Sequence, residues 1–174
     1  MRCFFCAIRE TEIFLEVKGK IKMENSGKKY QIDTEENKMF LGELQKNLLN
    51  FGKGFLSPGG SAYFLGDDGT PWKDRNRETW ITCRMVHVYS MGIMLGDKES
   101  PALVHGAVHG LLEELKDREN GGWYPGITPD NKFLPDKQCY AHAFVLLAAS
   151  SALLAGEKDA ETLLKDALEL FDKR

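Results

Sequence analysis

The run Glu78-Thr79-Trp80-Ile81-Thr82-Cys83-Arg84-Met85-Val86-His87-Val88-Tyr89-Ser90 sets an arginine one turn after a tryptophan, on the apolar side of an amphipathic helix. Burying a guanidinium is unfavourable unless a carboxylate or a polar ligand answers it. Arg84 therefore marks either a structural ion pair or the wall of a polar pocket, and the sequence around it favours the pocket. His87 follows by three residues and falls near the same face, where it can support Arg84 from behind. His142 stands two residues after Tyr140, which turns it about 200° away on a helix. It reads first as a core histidine. His87 and His142 are the secondary candidates for proton transfer. His105 and His109 have the i, i+4 spacing of metal ligands. Gly106 stands where an H-E-x-x-H motif needs its glutamate, so no metal is expected there. Asp67-Asp68-Gly69 reads as a turn, because the later ligands of a calcium loop are missing.

The elements that carry these residues recur. Trp80 is followed 16 residues later by Gly96, and Tyr140 is followed 16 residues later by Gly156. Each helix is preceded by a glycine pair with aromatic residues, Gly59-Gly60-Ser61-Ala62-Tyr63 and Gly121-Gly122-Trp123-Tyr124. Each pair leads into a polar turn, Gly66-Asp67-Asp68-Gly69-Thr70-Pro71 and Gly126-Ile127-Thr128-Pro129-Asp130-Asn131. A period of about 60 residues suits two helices with their connections, the signature of a helical repeat array.

Composition narrows the function classes. The chain has 174 residues, a domain's length, with 43% hydrophobic and 28% charged residues. A net charge of -3 recommends neither nucleic acid nor an anionic membrane as a partner. No apolar run reaches the length of a transmembrane helix. The N-terminus carries a charge too early for a signal peptide, so a cytoplasmic setting is expected. The four cysteines then read as reduced thiols. Cys3 and Cys6 form a lone C-x-x-C, without the second pair that a zinc site needs.

Residues 1–34 differ from the rest and read as an atypical N-terminal extension. Glu12 to Lys22 alternates like a strand with nothing to pair with, and Met23 is a sensible alternative start. Helices are expected at about 34–50, 78–96, 101–118, 136–155 and 158–172. The first has Phe40, Leu41, Leu44, Leu48 and Leu49 on one face. Ser100 is the expected N-cap of the third, with Pro101 at its first position and Asn120-Gly121-Gly122 as its stop. The segment 121–136 reads as a loop or short hairpin. The second and fourth helices are apolar on most faces and the third and fifth on one side, as inner and outer helices of an α/α toroid should be. The fold class is all-α: an incomplete toroid of about two and a half helical hairpins with long glycine-rich loops.

Three segments resemble the N-acylglucosamine 2-epimerase family, and its mannose and sulfoquinovose isomerase branch in particular. They are Trp80 to Ser90, Gly121-Gly122-Trp123-Tyr124, and Lys137-Gln138-Cys139-Tyr140-Ala141-His142-Ala143-Phe144. The resemblance covers about 39–174. It implies that residues 35–174 are the N-terminal part of an (α/α)6 barrel. It further implies proton transfer at carbon 2 of an open-chain sugar through an enediolate, with no metal or redox cofactor. The base and acid would be histidines of later helices beyond Arg174, leaving no principal catalytic residue in this chain. Arg84 and Tyr140 would contact sugar hydroxyls or the carbonyl oxygen; Trp123, on the loop, reads first as packing and second as a ring that stacks on a sugar face. The implied partner is a monosaccharide of the mannose, fructose, sulfoquinovose or N-acylated hexosamine type. The alternative is a non-catalytic helical-repeat segment serving as a binding or assembly module. Either way, apolar helix faces are expected to be exposed and to favour self-association.

Overall fold

The structure, a computed structural model, describes residues 31–172. The strand-like run Glu12 to Lys22, the Cys3–Cys6 pair and the Met23 start lie outside the described residues. The chain divides into two compact units, Met1–Glu43 and Leu44–Arg174.

In the first unit, Thr34 opens helix α1 (Glu35–Gly52). Its hydroxyl oxygen accepts the Asn37 N–H at 3.3 Å, and Glu35 and Glu36 place negative charge at the helix N-terminus. The second unit takes up the end of α1, where Leu49 enters the core and Leu48 stays exposed. The buried Tyr89 hydroxyl donates to the Leu49 carbonyl at 2.8 Å, and the Tyr89 ring stacks on Phe55.

The glycine-rich connection is ordered by two-residue strands. β1 (Phe64–Leu65) and β2 (Pro71–Trp72) pair antiparallel, with Phe64 opposite Trp72. Asp68 closes the turn between them by accepting the Thr70 N–H at 2.9 Å. β3 (Arg77–Glu78) pairs antiparallel with β4 (Gly126–Ile127), which belongs to the other long connection. The segment 121–136 is thus a hairpin that also ties the two loops together, with Ile127 bridged to Phe133.

Four further helices follow β3: α2 (Thr79–Met94), α3 (Ser100–Glu113), α4 (Cys139–Leu154) and α5 (Ala160–Asp172). α2 lies against α4, α3 covers α2, and α5 covers α4. Arg84 meets Tyr140 and, a turn further on, His87 meets Ser151, so α2 and α4 run parallel. Their shared core holds Cys83, Val86, Val145, Ala148, Ala149 and Ala152. The repeat read from Gly96 and Gly156 is structural. Both stand just past a helix end at positive φ, +85° and +90°. Behind them the N–H groups of Asp97 and Glu157 each return 2.9 Å bonds to the last turn, at Gly92 and Ala152.

Two helix boundaries differ from the sequence expectation. The N-cap of α3 is not Ser100: Asp97 accepts both the Ser100 N–H at 2.8 Å and its hydroxyl at 2.6 Å. At the other end α3 stops at Glu113 instead of near Arg118. Asp117 captures the backbone N–H groups of Glu119 and Asn120 at 3.0 Å each, which turns the chain before the glycine pair is reached.

Candidate functional site

The start of α2 and the start of α4 converge on one aromatic and basic cluster. Arg84, half-buried, donates from Nη2 to the Tyr140 hydroxyl at 3.3 Å. Its guanidinium lies 4.7 Å from the Trp80 ring centroid and 5.0 Å from that of Phe144. Trp80 meets Tyr140 edge-on at 6.1 Å and Phe64 of β1 at 6.2 Å, and Tyr140 also contacts Phe144 at 4.8 Å. Trp80 and Arg84 are i, i+4 on α2, and Tyr140 and Phe144 are i, i+4 on α4, so each helix offers one contacting pair. The cluster is open, with Tyr140 51% exposed. Two cavities lie elsewhere. One of about 570 Å³ is lined by Asp117, Tyr124, Asp136 and Lys137, and another of about 410 Å³ by Tyr63, Lys73, Arg77, Glu114 and Asn131.

Glu78 stands at the edge of the cluster. Its carboxylate accepts the indole N–H of Trp80. Burial pushes its pKa above the ordinary carboxylate value, and the indole hydrogen bond opposes that shift.

The argument for a buried arginine proves to belong to Arg77, which is 7% exposed. Arg77 donates from Nε to Ser61 at 2.7 Å and from Nη2 to Glu114 and Asn131 at 3.0 Å each. Its ion pair with Glu114, just past the end of α3, links that helix to both long loops through Ser61 and Asn131.

Trp123 has no open face to offer, which corrects the expectation that it stacks on a sugar and leaves the packing reading. It is 1% exposed, and its indole N–H donates to the Leu111 carbonyl at 2.7 Å. His142 is a core histidine. Its Nε2 accepts the Trp123 backbone N–H at 3.1 Å, and its Nδ1 donates to the Gln138 carbonyl at 2.8 Å, so both ring nitrogens are engaged. His87 contacts the Ser151 hydroxyl through Nδ1 at 2.7 Å, while Ser151 donates its one proton to the Leu147 carbonyl at 2.8 Å. The Nδ1 of neutral His87 therefore carries the hydrogen, and Nε2 is the acceptor nitrogen. His105 Nδ1 lies 3.3 Å from Glu157 and 3.9 Å from Asp159 instead of combining with His109.

Trp80, Glu78, Phe64 and Phe144 were not among the site residues read from the sequence. For Trp80 and Phe144 the signal was present, as aromatic residues one turn from a polar residue. For Glu78 and Phe64 it was not, because their places depend on two-residue strand pairings, β3–β4 between the two long loops and β1–β2 within one.

Two parallel helices, each overlaid by another helix, thus carry an arginine and a tyrosine near their starts. A solved structure of D-mannose isomerase shares the fold, with a TM-score of 0.69 at 21% identity over 78% of this chain and 36% of that one. The profile of the N-acylglucosamine 2-epimerase (GlcNAc 2-epimerase) family matches residues 59–174. D-mannose isomerases of Thermobifida fusca and Pseudomonas cannabina pv. alisalensis are 33% identical over 134 residues and 36% identical over 129. Each of these alignments covers 74% of this chain, but only 32% and 31% of the relatives. The chain belongs to the N-acylglucosamine 2-epimerase family. It spans about a third of the length of the curated relatives it matches.

Proposed function

We propose that this chain supplies the N-terminal helical hairpins, and the substrate-holding side, of a sugar isomerase or epimerase. The convergence of Arg84 and Tyr140 at 3.3 Å carries the reading. A guanidinium fork and a phenol together offer directed donors to adjacent oxygens of an open-chain sugar. They also suit an oxygen that gains negative charge as an enediolate forms. The aromatic rings of Trp80 and Phe144 keep that oxygen in a less polar setting, where the hydrogen bonds count for more.

In this reading the proton at carbon 2 is moved by histidines of later barrel helices, beyond Arg174. His142 is unsuited to the task, since both its nitrogens are occupied. The relatives named D-mannose isomerase make mannose and fructose the first sugars to try, then sulfoquinovose and N-acylated hexosamines. Among the described residues no helix is long and apolar enough to cross a membrane.

Exchange of the carbon-2 hydrogen in deuterated water tests the proposal. The 174-residue chain should bind mannose or fructose weakly and catalyse little or no exchange, because a general base must come within hydrogen-bond reach of the proton it removes. Robust exchange would place a base within this chain, with His87 first in line. Absence of sugar binding would favour the reading as a non-catalytic repeat module.

A further inference from the structure

Glu78 has its backbone fixed on both sides. Its residue pairs with Gly126 across the β3–β4 sheet, and its carbonyl accepts the Thr82 hydroxyl at 3.0 Å. With the main chain extended at φ -101° and ψ 140°, the side chain starts from a defined point beside the first turn of α2. From there its carboxylate reaches Trp80, two residues on, and accepts the indole N–H. Hydrogen bonds to an ionised acceptor are about twice as strong as neutral ones. A half-buried carboxylate also loses most by giving up its donor.

Trp80 is the ring that the rest of the cluster shares. Arg84 lies over its face at 4.7 Å, Tyr140 meets it at 6.1 Å and Phe64 at 6.2 Å. An indole free to rotate about its side-chain torsions could present either edge to this space. An indole tethered at Nε1 presents one.

We propose that Glu78 is the positioning residue of this site: by accepting the Trp80 indole N–H it fixes the ring in the orientation that seats the Arg84 guanidinium and abuts Tyr140. Glu78 acts through Trp80, without touching the ligand. The claim about ring orientation stands on the geometry alone; its consequence for sugar binding rests on the function proposed above.

The test reads the indole directly. The chain has three tryptophans, so its proton–nitrogen spectrum carries three indole resonances, assigned by Trp72→Phe, Trp80→Phe and Trp123→Phe. Glu78→Ala should move the Trp80 resonance and remove the nuclear Overhauser contacts between its ring and Tyr140. The Trp123 resonance should stay in place, because its N–H is held by Leu111 in the core, and so report that the fold is intact. Glu78→Gln, which keeps an acceptor oxygen, should restore the Trp80–Tyr140 contacts while shifting the Trp80 resonance alone. Mannose binding should weaken roughly tenfold in Glu78→Ala and recover most of that in Glu78→Gln, the equivalent of one charge-assisted hydrogen bond.

Unchanged Trp80 resonance and ring contacts in Glu78→Ala would overturn the proposal. So would a displaced ring with sugar affinity equal to the parent's. If Glu78→Ala loses the Trp123 resonance, Glu78→Gln decides: a Trp80 resonance at its parental position refutes the tether. If the parent chain binds no sugar, the functional reading falls, and the indole spectra still decide whether Glu78 sets the ring.

Discussion

Arg84 Nη2 and the Tyr140 hydroxyl meet at 3.3 Å across 56 residues of sequence. Each residue also contacts aromatic rings from both helices, so the pair is held by more than its own hydrogen bond. Tyr140→Phe keeps the ring and removes one hydroxyl. It should weaken mannose or fructose binding by about fivefold, near 1 kcal/mol. Arg84→Lys should cost more, because an ammonium neither forks nor stacks as a guanidinium does. Titrations followed by sugar-proton line broadening measure both. Equal affinities for parent and Arg84→Lys would remove Arg84 from the binding site.

Close backbone approach governs a second prediction. A Cβ on Gly110 would stand 2.3 Å from the Gly60 carbonyl carbon, and Gly60 itself holds φ +97°. Gly110→Ala must push the Gly59-Gly60 loop off α3, and should destabilise by about 1–3 kcal/mol. Gly42, inside α1, would meet nothing within 4 Å. Gly42→Ala should therefore stabilise by roughly 0.5–1 kcal/mol through helix propensity. Urea unfolding of the two variants should give opposite signs; a neutral Gly110→Ala would mean that the loop is not anchored there.

These two contrasts show where the sequence was legible. Gly96 and Gly156 announced the helix ends because a left-handed residue after an apolar run has few other uses. The inner helices were legible for the same reason that they are inner, since no polar face marks an outside. The end of α3 was not legible. Leu115 continues the apolar period, and only the fold reveals that Asp117 turns the chain by binding Glu119 and Asn120. The β3–β4 pairing was hidden because two-residue strands carry no periodicity, and Glu78 and Gly126 are far apart in sequence. Trp123 stayed open between packing and sugar stacking because an indole on a loop looks available until its N–H partner, Leu111, is known.

Asp117 should also shape the acid limb of stability. Lys137 and the N–H groups of Asn120 and Glu119 hold its carboxyl well below the usual carboxylate range. The folded-state pKa is thus depressed relative to the unfolded chain. Its stabilising contribution is present above the unfolded pKa, near 4, and is lost as pH falls below it toward the folded value. Asp117→Asn should lower the Tm at pH 7, with the gap from the parent narrowing below about pH 4. Lys137, 2.6 Å from the Asp117 carboxylate, ties this turn to the start of α4, so the variant should also loosen Tyr140. A gap that stays constant between pH 7 and pH 3 would show that the carboxylate charge contributes nothing.

The parallel course of α2 and α4 brings their C-terminal ends to the same end of the unit, and that end is apolar. Met94 is 55% exposed, Leu95 62% and Leu154 80%, with Met91, Leu147 and Leu153 also exposed. Contiguous apolar patches above a few hundred Å² are uncommon on soluble monomers. Covering each such side chain is worth roughly 1.5–3 kcal/mol, so a few of them can drive association. The 174-residue chain should therefore self-associate, through contact between copies at this face. Sedimentation velocity over a range of concentrations should show a sedimentation coefficient that rises with concentration. Leu154→Glu combined with Leu147→Glu should reduce that rise, since charges at the patch oppose its burial. Helix content should be kept, because both side chains already face solvent. A single concentration-independent monomer boundary for the parent chain would show that this end needs no cover.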